Sequence, residues 1–243
     1  VVKIAFVLSA IDPLHGAGFT LDLQVLQSLG VKAVGVPTGI LPQDPSGVRD
    51  AFFFPKQWVE KTYEPLKGIK PSGLKVSVPG NSIGVIRTLL KRVDGPKVLD
   101  PIIWAGGRRV ARAGTLRELA SYFDLITPNI PEAREMLGQD LPPRPLCEAL
   151  YRQLGVDVLL KGGHSQDKTD YLCTSGGVLL LKPDEIFPYE VHGTGCLLSS
   201  AILAFLLRGR TLVGAVREAK AYLVEQYRRA IPLGPGKRVF HLS

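Results

Sequence analysis

The chain is expected to fold as an α/β protein around a doubly wound, mostly parallel sheet with helices on both faces. Three observations predict this. Short apolar, β-rich runs alternate with helical stripes along nearly the whole sequence. Polar residues collect where those runs end, as ligand-binding residues do at the carboxyl ends of parallel strands. A glycine turn, His192-Gly193-Thr194-Gly195-Cys196, runs straight into an apolar helical stretch.

The elements follow in order. Lys3 to Ser9 is a buried strand. Ala17 to Leu29 carries Phe19, Leu23, Leu26 and Leu29 at helical spacing, with Gly30 as its stop. Val31 to Val36 is a second strand, and Leu41 to Gly47 a turn-rich loop. Gln57 to Leu66 is helical, Gly73 to Val78 a strand, Ser82 to Val93 a helix, and Lys97 to Asp100 a strand stopped by Pro101. Thr115-Leu116-Arg117-Glu118 has the capping-box pattern and is expected to start a helix reaching Tyr122. Asp124 to Thr127 is a strand, and Pro131 suits the first turn of the helix after it. Leu146 to Leu154 is helix and Val156 to Lys161 strand. Thr169 to Cys173 and Gly177 to Lys182 form a hairpin, which adds antiparallel strands. The helix after Gly195 reaches Leu207, and Thr211 caps a last helix to Ile231. No repeat, low-complexity segment or linker divides the chain, so residues 1–243 read as one domain.

Composition excludes several classes. Apolar residues make up 45% and charged residues 21%, as in a soluble globular protein. No stretch at the start has the pattern of a secretion signal. The longest apolar run, Cys196 to Leu207, contains Ser199 and Ser200 and is too short to span a bilayer. A cytoplasmic protein without membrane partners is expected. The net charge is +8, but the Lys and Arg residues are scattered, without interleaved aromatics. That argues for a basic surface favouring anionic small molecules over a nucleic-acid interface. Cys147, Cys173 and Cys196 are odd in number and form no CxxC pair, which supports neither a disulfide framework nor a zinc site. Asn occurs only at Asn81 and Asn129 and there is one Met, a scarcity that fits a thermophile.

The glycine turn carries the chemistry. The first turn of a helix has N–H groups without intrahelical partners and partial positive charge from the dipole. Gly193 and Gly195 lack a Cβ, so an anion can approach the backbone. Cys196 sits where a thiol pKa is expected to fall. A plain helix cap and an inert cysteine remain the alternative reading of this stretch taken alone. Around it, Asp12, Gln43, Asp44, Asp100, Asn129, Glu132 and Lys161 all fall at presumed strand ends. Singly, Asn129 and Glu132 also read as helix capping, Asp100 as a turn residue before Pro101, Lys161 as a solvated strand-end lysine, and Gln43 as a loop amide.

Six segments in this order resemble the ribokinase superfamily, and within it the hydroxymethylpyrimidine (phosphomethylpyrimidine) kinases of thiamine synthesis. They are Asp12-Pro13-Leu14-His15-Gly16-Ala17-Gly18 with Asp22-Leu23; Val36 to Val48 with Thr38, Gln43 and Gly47; Val98-Leu99-Asp100-Pro101; Thr127-Pro128-Asn129-Ile130-Pro131-Glu132-Ala133; Leu160-Lys161-Gly162-Gly163-His164; and His192 to Cys196 with Leu198-Ser199-Ser200-Ala201. The resemblance implies a three-layer αβα, ribokinase-like fold and transfer of the ATP γ-phosphoryl to an aminopyrimidine, with magnesium. It implies an anion hole at Gly193, Thr194, Gly195 and Cys196, with Cys196 as base or orienting group. It implies substrate contacts at Ala10, Asp12, Gly16, Gln43 and Ile102. Asn129, Lys161, Gly162 and Thr194 are the implied ATP contacts, and Glu132 and Asp100 the magnesium-side carboxylates. A homo-oligomer, a dimer in the simplest case, is also implied.

The departures cluster on the substrate side. Ala10-Ile11 replaces the family's Gly-Ser, and His15 replaces a glycine, placing an imidazole near the mouth. Lys75-Val76-Ser77-Val78-Pro79 replaces Lys-x-Gly-Met-Leu, Ile102 to Gly107 replaces a small polar stretch, and Leu197 replaces Thr. Two further readings therefore stand beside the thiamine-pathway kinase: a pyridoxal-type vitamin kinase, and a non-catalytic pyrimidine-binding module.

Overall fold

The computed structural model describes residues 2–44, 47–163, 167–234 and 238–242. Pro45 and Ser46 of the expected loop, and His164 of the lysine-glycine segment, lie outside the described residues.

The chain opens with strand β1 (Ile4–Ile11), helix α1 (Gly18–Ser28) and strand β2 (Lys32–Ile40). A small ribbon of β3 (Gln43–Asp44) and β4 (Gly47–Val48) precedes β5 (Phe52–Phe53) and α2 (Lys56–Tyr63). Next come β6 (Gly73–Val76), α3 (Ile83–Leu90), β7 (Lys97–Leu99) and a second ribbon, β8 (Trp104–Ala105) with β9 (Arg108–Arg109). Then follow α4 (Ala113–Ala120), β10 (Leu125–Ile126), α5 (Ile130–Leu137), α6 (Pro143–Leu154) and β11 (Asp157–Leu160). The hairpin β12 (Asp170–Thr174) and β13 (Gly177–Leu181) leads to β14 (Val191–His192), α7 (Thr194–Leu207), α8 (Leu212–Arg228), β15 (Ile231–Pro232) and β16 (Arg238–Val239).

The main sheet runs β13-β12-β11-β10-β7-β6-β1-β2-β5. The six strands from β11 to β2 are parallel, and the edge strands β5, β12 and β13 are antiparallel. The winding direction reverses beside β1, which has β2 on one side and β6 on the other. That switch point is where open α/β sheets bind ligands.

Alternation along the strands produces the layers. Ala5 and Val7 of β1 pack with α1, α7 and α8. Phe6 and Leu8 face the opposite cluster, built from α2 to α6. Helix α7 lies between the sheet and its neighbouring helices, so it is apolar on nearly all sides and buried almost throughout. The three-layer, mostly parallel architecture is the one the sequence predicts.

Several helix limits differ from expectation: α3 ends at Leu90 instead of Val93, α6 begins at Pro143 instead of Leu146, and α4 and α8 shift for tertiary reasons. Helix α4 begins at Ala113 after Arg112, and Thr115 lies inside it without a capping bond. The β8–β9 ribbon, closed by Val110 N–H to the Ile103 carbonyl at 2.8 Å, delivers the chain into the helix three residues early, with Arg112 and not Thr115 at the N-cap. Helix α8 ends at Arg228 instead of Ile231, because Ile231 enters a small sheet with β16. Thr211 does cap it, accepting Gly214 N–H at 3.2 Å.

Candidate active site

The carboxyl ends of β1, β7, β10 and β11 converge on the N-terminus of α7. Gly193 adopts φ 84°, and a Cβ there would stand 1.9 Å from the Gly16 carbonyl oxygen. Glycine is therefore required both for the backbone angle and for space. The first helical bond runs from Leu197 N–H to Gly193 O at 2.9 Å. The N–H groups of Thr194, Gly195 and Cys196 consequently have no intrahelical acceptor. A Cβ on Gly195 would lie 2.9 Å from Lys161 Nζ, so a cation faces the open turn directly. The Thr194 hydroxyl is anchored sideways, donating to Val191 O at 2.8 Å and lying 3.0 Å from the Tyr227 hydroxyl.

Lys161 Nζ is 2.7 Å from Asp100 Oδ1. Asp100 also accepts from the Thr127 hydroxyl at 3.2 Å and the Ser199 hydroxyl at 3.1 Å. Burial opposes its charge, but Lys161, Lys75 and these bonds outweigh burial and hold its carboxyl below the ordinary value. Burial likewise opposes the Lys161 charge, yet Asp100 and Glu132 raise its pKa overall. Asn129 and Glu132 form a reciprocal capping box at the start of α5, with both bonds at 2.8 Å. Burial pushes the Glu132 carboxyl up to about 7, against the pull of Lys161. Asp12 is buried, and burial acts against its charge. His192, with Nε2 at 3.5 Å from its Oδ2, the Leu14 N–H and Gln43 together bring it below the ordinary value.

Cys196 corrects the expectation of a polarised thiol. Its side chain is buried, and burial first, then Asp22, pushes its pKa up to about 12. Desolvation exceeds the help of the helix end and of Lys75.

Two cavities meet at the turn. One, of about 230 Å³, is lined by Ala10, Asp12, Gln43, Ile102, Glu132 and Cys196, with Asp100 and Gly193 at its floor. The other is a groove of about 360 Å³ running toward Lys220, Phe187 and Tyr227. Asn129, Lys161, Thr194 and Gly195 line both, forming a common wall.

Most of the expected site residues are thus brought together, but Gly16, Gly162, His15 and Asp44 are not, Asp44 pairing instead with Arg49 at 2.6 Å. Gly16 lines neither cavity: its N–H donates to Asp12 Oδ2 at 3.0 Å and its carbonyl buttresses Gly193. Gly162 lines neither: its N–H donates to Asp170 Oδ1 at 2.8 Å, and a Cβ would collide with Thr169 O at 1.8 Å. Its neighbour Gly163 takes the place on the groove. His15, at φ 58°, also stays outside the mouth, where the half-exposed Trp104 stands with its Nε1 donating to Glu135 at 2.8 Å.

Sequence reasoning missed a buried group behind the turn: Lys75, Asp22 and Ser200. Its signal was the alternation Gly73, Lys75, Ser77 on one face of a strand whose other face is Leu74, Val76, Val78. Also missed was Lys220, paired with Asp170 beside the groove. Phe187, Tyr189 and Tyr227 form an aromatic wall there, with Phe187 and Tyr227 stacked at 4.9 Å between ring centres.

Among the described residues no cluster of three metal-ligating side chains exists. Asp100 and Glu132 are the carboxylates nearest the common wall, and Asp100 is already paired to Lys161. That sparse donor set fits magnesium, which keeps water and phosphate oxygens and takes one or two carboxylates. No described helix is long and apolar enough to cross a membrane.

Comparison with known proteins agrees with this geometry. The family model for phosphomethylpyrimidine kinase matches residues 12–241. A hydroxymethylpyrimidine/phosphomethylpyrimidine kinase from Staphylococcus aureus (strain MSSA476) is 31% identical, with 97% of this chain and 91% of the relative covered. The crystal structure of a phosphomethylpyrimidine kinase from Clostridium difficile 630 is 26% identical at a TM-score of 0.75, covering 91% of this chain and 99% of that one. An ADP complex of Bacillus subtilis pyridoxal kinase shares the fold at a TM-score of 0.84 and 24% identity, covering 100% and 98%. With the family model spanning nearly all of a ribokinase-like fold, the chain belongs to the phosphomethylpyrimidine kinase family and is a kinase.

Proposed function

We propose that this single-domain kinase transfers the γ-phosphoryl of ATP to 4-amino-5-hydroxymethyl-2-methylpyrimidine phosphate, and to the free alcohol, in thiamine biosynthesis. The observation that carries the reading is the wall of Asn129, Lys161, Thr194 and Gly195 common to both cavities. A donor in the groove and an acceptor in the smaller cavity meet there, at the open N–H groups of α7. Phosphoryl transfer is mostly positioning and charge stabilisation, and this wall supplies both.

Gln43 both donates and accepts, as an aminopyrimidine edge requires. Ala10 and Ile102 flank the ring, and Asp12 holds the loop. Lys161 and the N–H groups of Thr194, Gly195 and Cys196 neutralise the migrating group. Glu132 and Asp100 hold magnesium, directly or through water, and the ion's chemistry is to neutralise phosphate oxygens. With its pKa near 12, Cys196 orients the acceptor instead of removing its proton at neutral pH. A phosphate acceptor is already ionised and needs little base, while the alcohol must lose a proton. The reaction breaks the bond between the γ-phosphorus and the bridging oxygen of ATP and forms one to the acceptor oxygen, releasing ADP.

A homo-oligomer, a dimer in the simplest case, is part of the proposal and is checked by light scattering. The function is tested by mass spectrometry after incubation with magnesium, ATP and a mixture of hydroxymethylpyrimidine, its monophosphate and pyridoxal. A pyrimidine diphosphate peak is expected. Pyridoxal phosphate alone would move the chain to the vitamin kinase reading. No product from folded protein would favour a binding module.

A further inference from the structure

Lys75 is a fully buried lysine that touches neither cavity. It sits in β6 at the switch point, and each of its three donors has an acceptor. It pairs with Asp22 Oδ1 from α1, donates to the Cys196 carbonyl at 3.0 Å and donates to the Ser200 hydroxyl at 2.8 Å. Ser200 in turn donates to Asp22 Oδ1 at 3.0 Å. Asp22 Oδ2, also buried, has no partner among the described residues. Three elements, α1, β6 and α7, are thus joined at one ammonium, directly behind the residue that ends the glycine turn.

A charge pair this deep carries a large desolvation penalty and is weak evidence of stabilisation. Apolar side chains of similar volume would fill the same space at no loss. What they would not reproduce is the bond to the Cys196 carbonyl. That carbonyl belongs to the first turn of α7, and its depth against the sheet sets where the N–H groups of Thr194, Gly195 and Cys196 point. Ser199 approaches the same carbonyl at 3.2 Å while also bonding Asp100, so the turn is held from the cavity side as well.

We infer that Lys75, held by Asp22 and Ser200, is a positioning residue for phosphoryl transfer: it fixes the first turn of α7 so that its N–H groups meet the migrating group. The inference rests on the phosphoryl-transfer reading above. It assigns Lys75 no contact with either substrate.

The test is the double variant Lys75→Met/Asp22→Leu, which removes both charges together and keeps the core filled. Its unfolding midpoint is expected to stay near that of the parent. Its kcat is expected to fall on the order of 100-fold, the cost of about 1 Å of misplacement, with KM for ATP little changed. Hydrogen exchange in a peptide covering residues 191–200 is expected to quicken, with exchange elsewhere unchanged. Ser200→Ala keeps the ion pair and should give a smaller fall in kcat, which provides a second readout if the double variant folds poorly. Unchanged kcat in a folded double variant, or unchanged exchange at residues 191–200, would overturn the inference. A parent protein that phosphorylates no pyrimidine would instead overturn the functional reading, and the exchange experiment then decides the tether by itself.

Discussion

The molecule contains two buried lysine–aspartate pairs on either side of one helix turn, and they behave differently. Lys161 and Asp100 face the wall shared by the two cavities. Lys75 and Asp22 are sealed behind it. Each pair reaches α7 through a neighbouring serine, Ser199 for the first and Ser200 for the second. Yet the Asp100 carboxyl lies below its ordinary value, whereas burial pushes Asp22 up to about 6. Burial opposes both charges, but Lys161 and Lys75 both attract the Asp100 carboxylate, whereas Asp22 has Lys75 alone and is repelled by Asp100. Asp100 spreads its bonds over both oxygens, to Lys161, Thr127 and Ser199. Asp22 receives Lys75 and Ser200 on one oxygen and leaves the other bare. On the proposed function, the pair that would meet a phosphate is stabilised as charge, while the pair sealed behind the turn is barely stabilised.

The most disruptive way to break this contrast is Lys75→Met alone. It strands Asp22 without its cation, and a cost of about 3–5 kcal/mol is expected in urea unfolding. If the single variant is as stable as the parent, Lys75 and Asp22 are not acting as a pair. Next comes Lys161→Met, which on the proposed function removes a donor from the transition state and should lower kcat by ~100- to 1000-fold. Steady-state rates decide it, and a change confined to KM would place Lys161 in ground-state binding only.

A loss common to both acceptors is expected from Cys196→Ala. On the proposed function the buried thiol orients the acceptor and takes no proton from it, so turnover should fall alike with the alcohol and with the monophosphate. A loss confined to the alcohol would make the thiol a base, and no loss with either acceptor would mean that it only packs.

The smallest effect, but the sharpest contrast, is in the pH dependence of stability. Asp22 has a raised folded pKa, so its stabilising contribution is present below 3.8 and is lost as pH rises toward about 6. Asp100 has a lowered one, so its contribution is present above 3.8 and is lost as pH falls below that value. The stability gap between parent and Asp22→Asn should therefore narrow from pH 4 to pH 6. The gap to Asp100→Asn should close only in stronger acid. Melting curves at matched pH check both, and slopes of the same sign would erase the distinction.

Much of this was legible in the sequence, for physical reasons that differ by region. Strands such as Ile4–Ile11 and the helix after Gly193 follow from periodicity, because burial on one face or on all sides dictates residue type locally. The capping box at Asn129 and Glu132 forms, while the matching pattern at Thr115 and Glu118 does not. The difference is the ribbon ahead of α4, which is held by contacts far along the chain. The two-residue strands Gln43–Asp44 and Trp104–Ala105 pair locally but were invisible because two residues carry no alternation to read. For the site, side-chain chemistry singled out Asp12, Gln43, Asp100, Glu132 and Lys161, which all line the smaller cavity. Gly16 and Gly162 line neither cavity: a Cβ on Gly16 would press on Val239 and His192 at 3.0 and 3.1 Å, and one on Gly162 would collide with Thr169 O at 1.8 Å. Sequence reasoning misjudged the Cys196 thiol, since helix position is readable in a sequence and depth is not.

That depth has a consequence for chemical durability. Peroxide, disulfide exchange and alkylating agents all react with accessible thiolate. The Cys196 thiol on the wall of the candidate site, 5% exposed and with its pKa pushed up to about 12, offers them neither access nor anion. Such a thiol is expected to stay reduced through oxidative conditions without a dedicated reductant, which turns a residue usually regarded as a redox liability into an inert fixture.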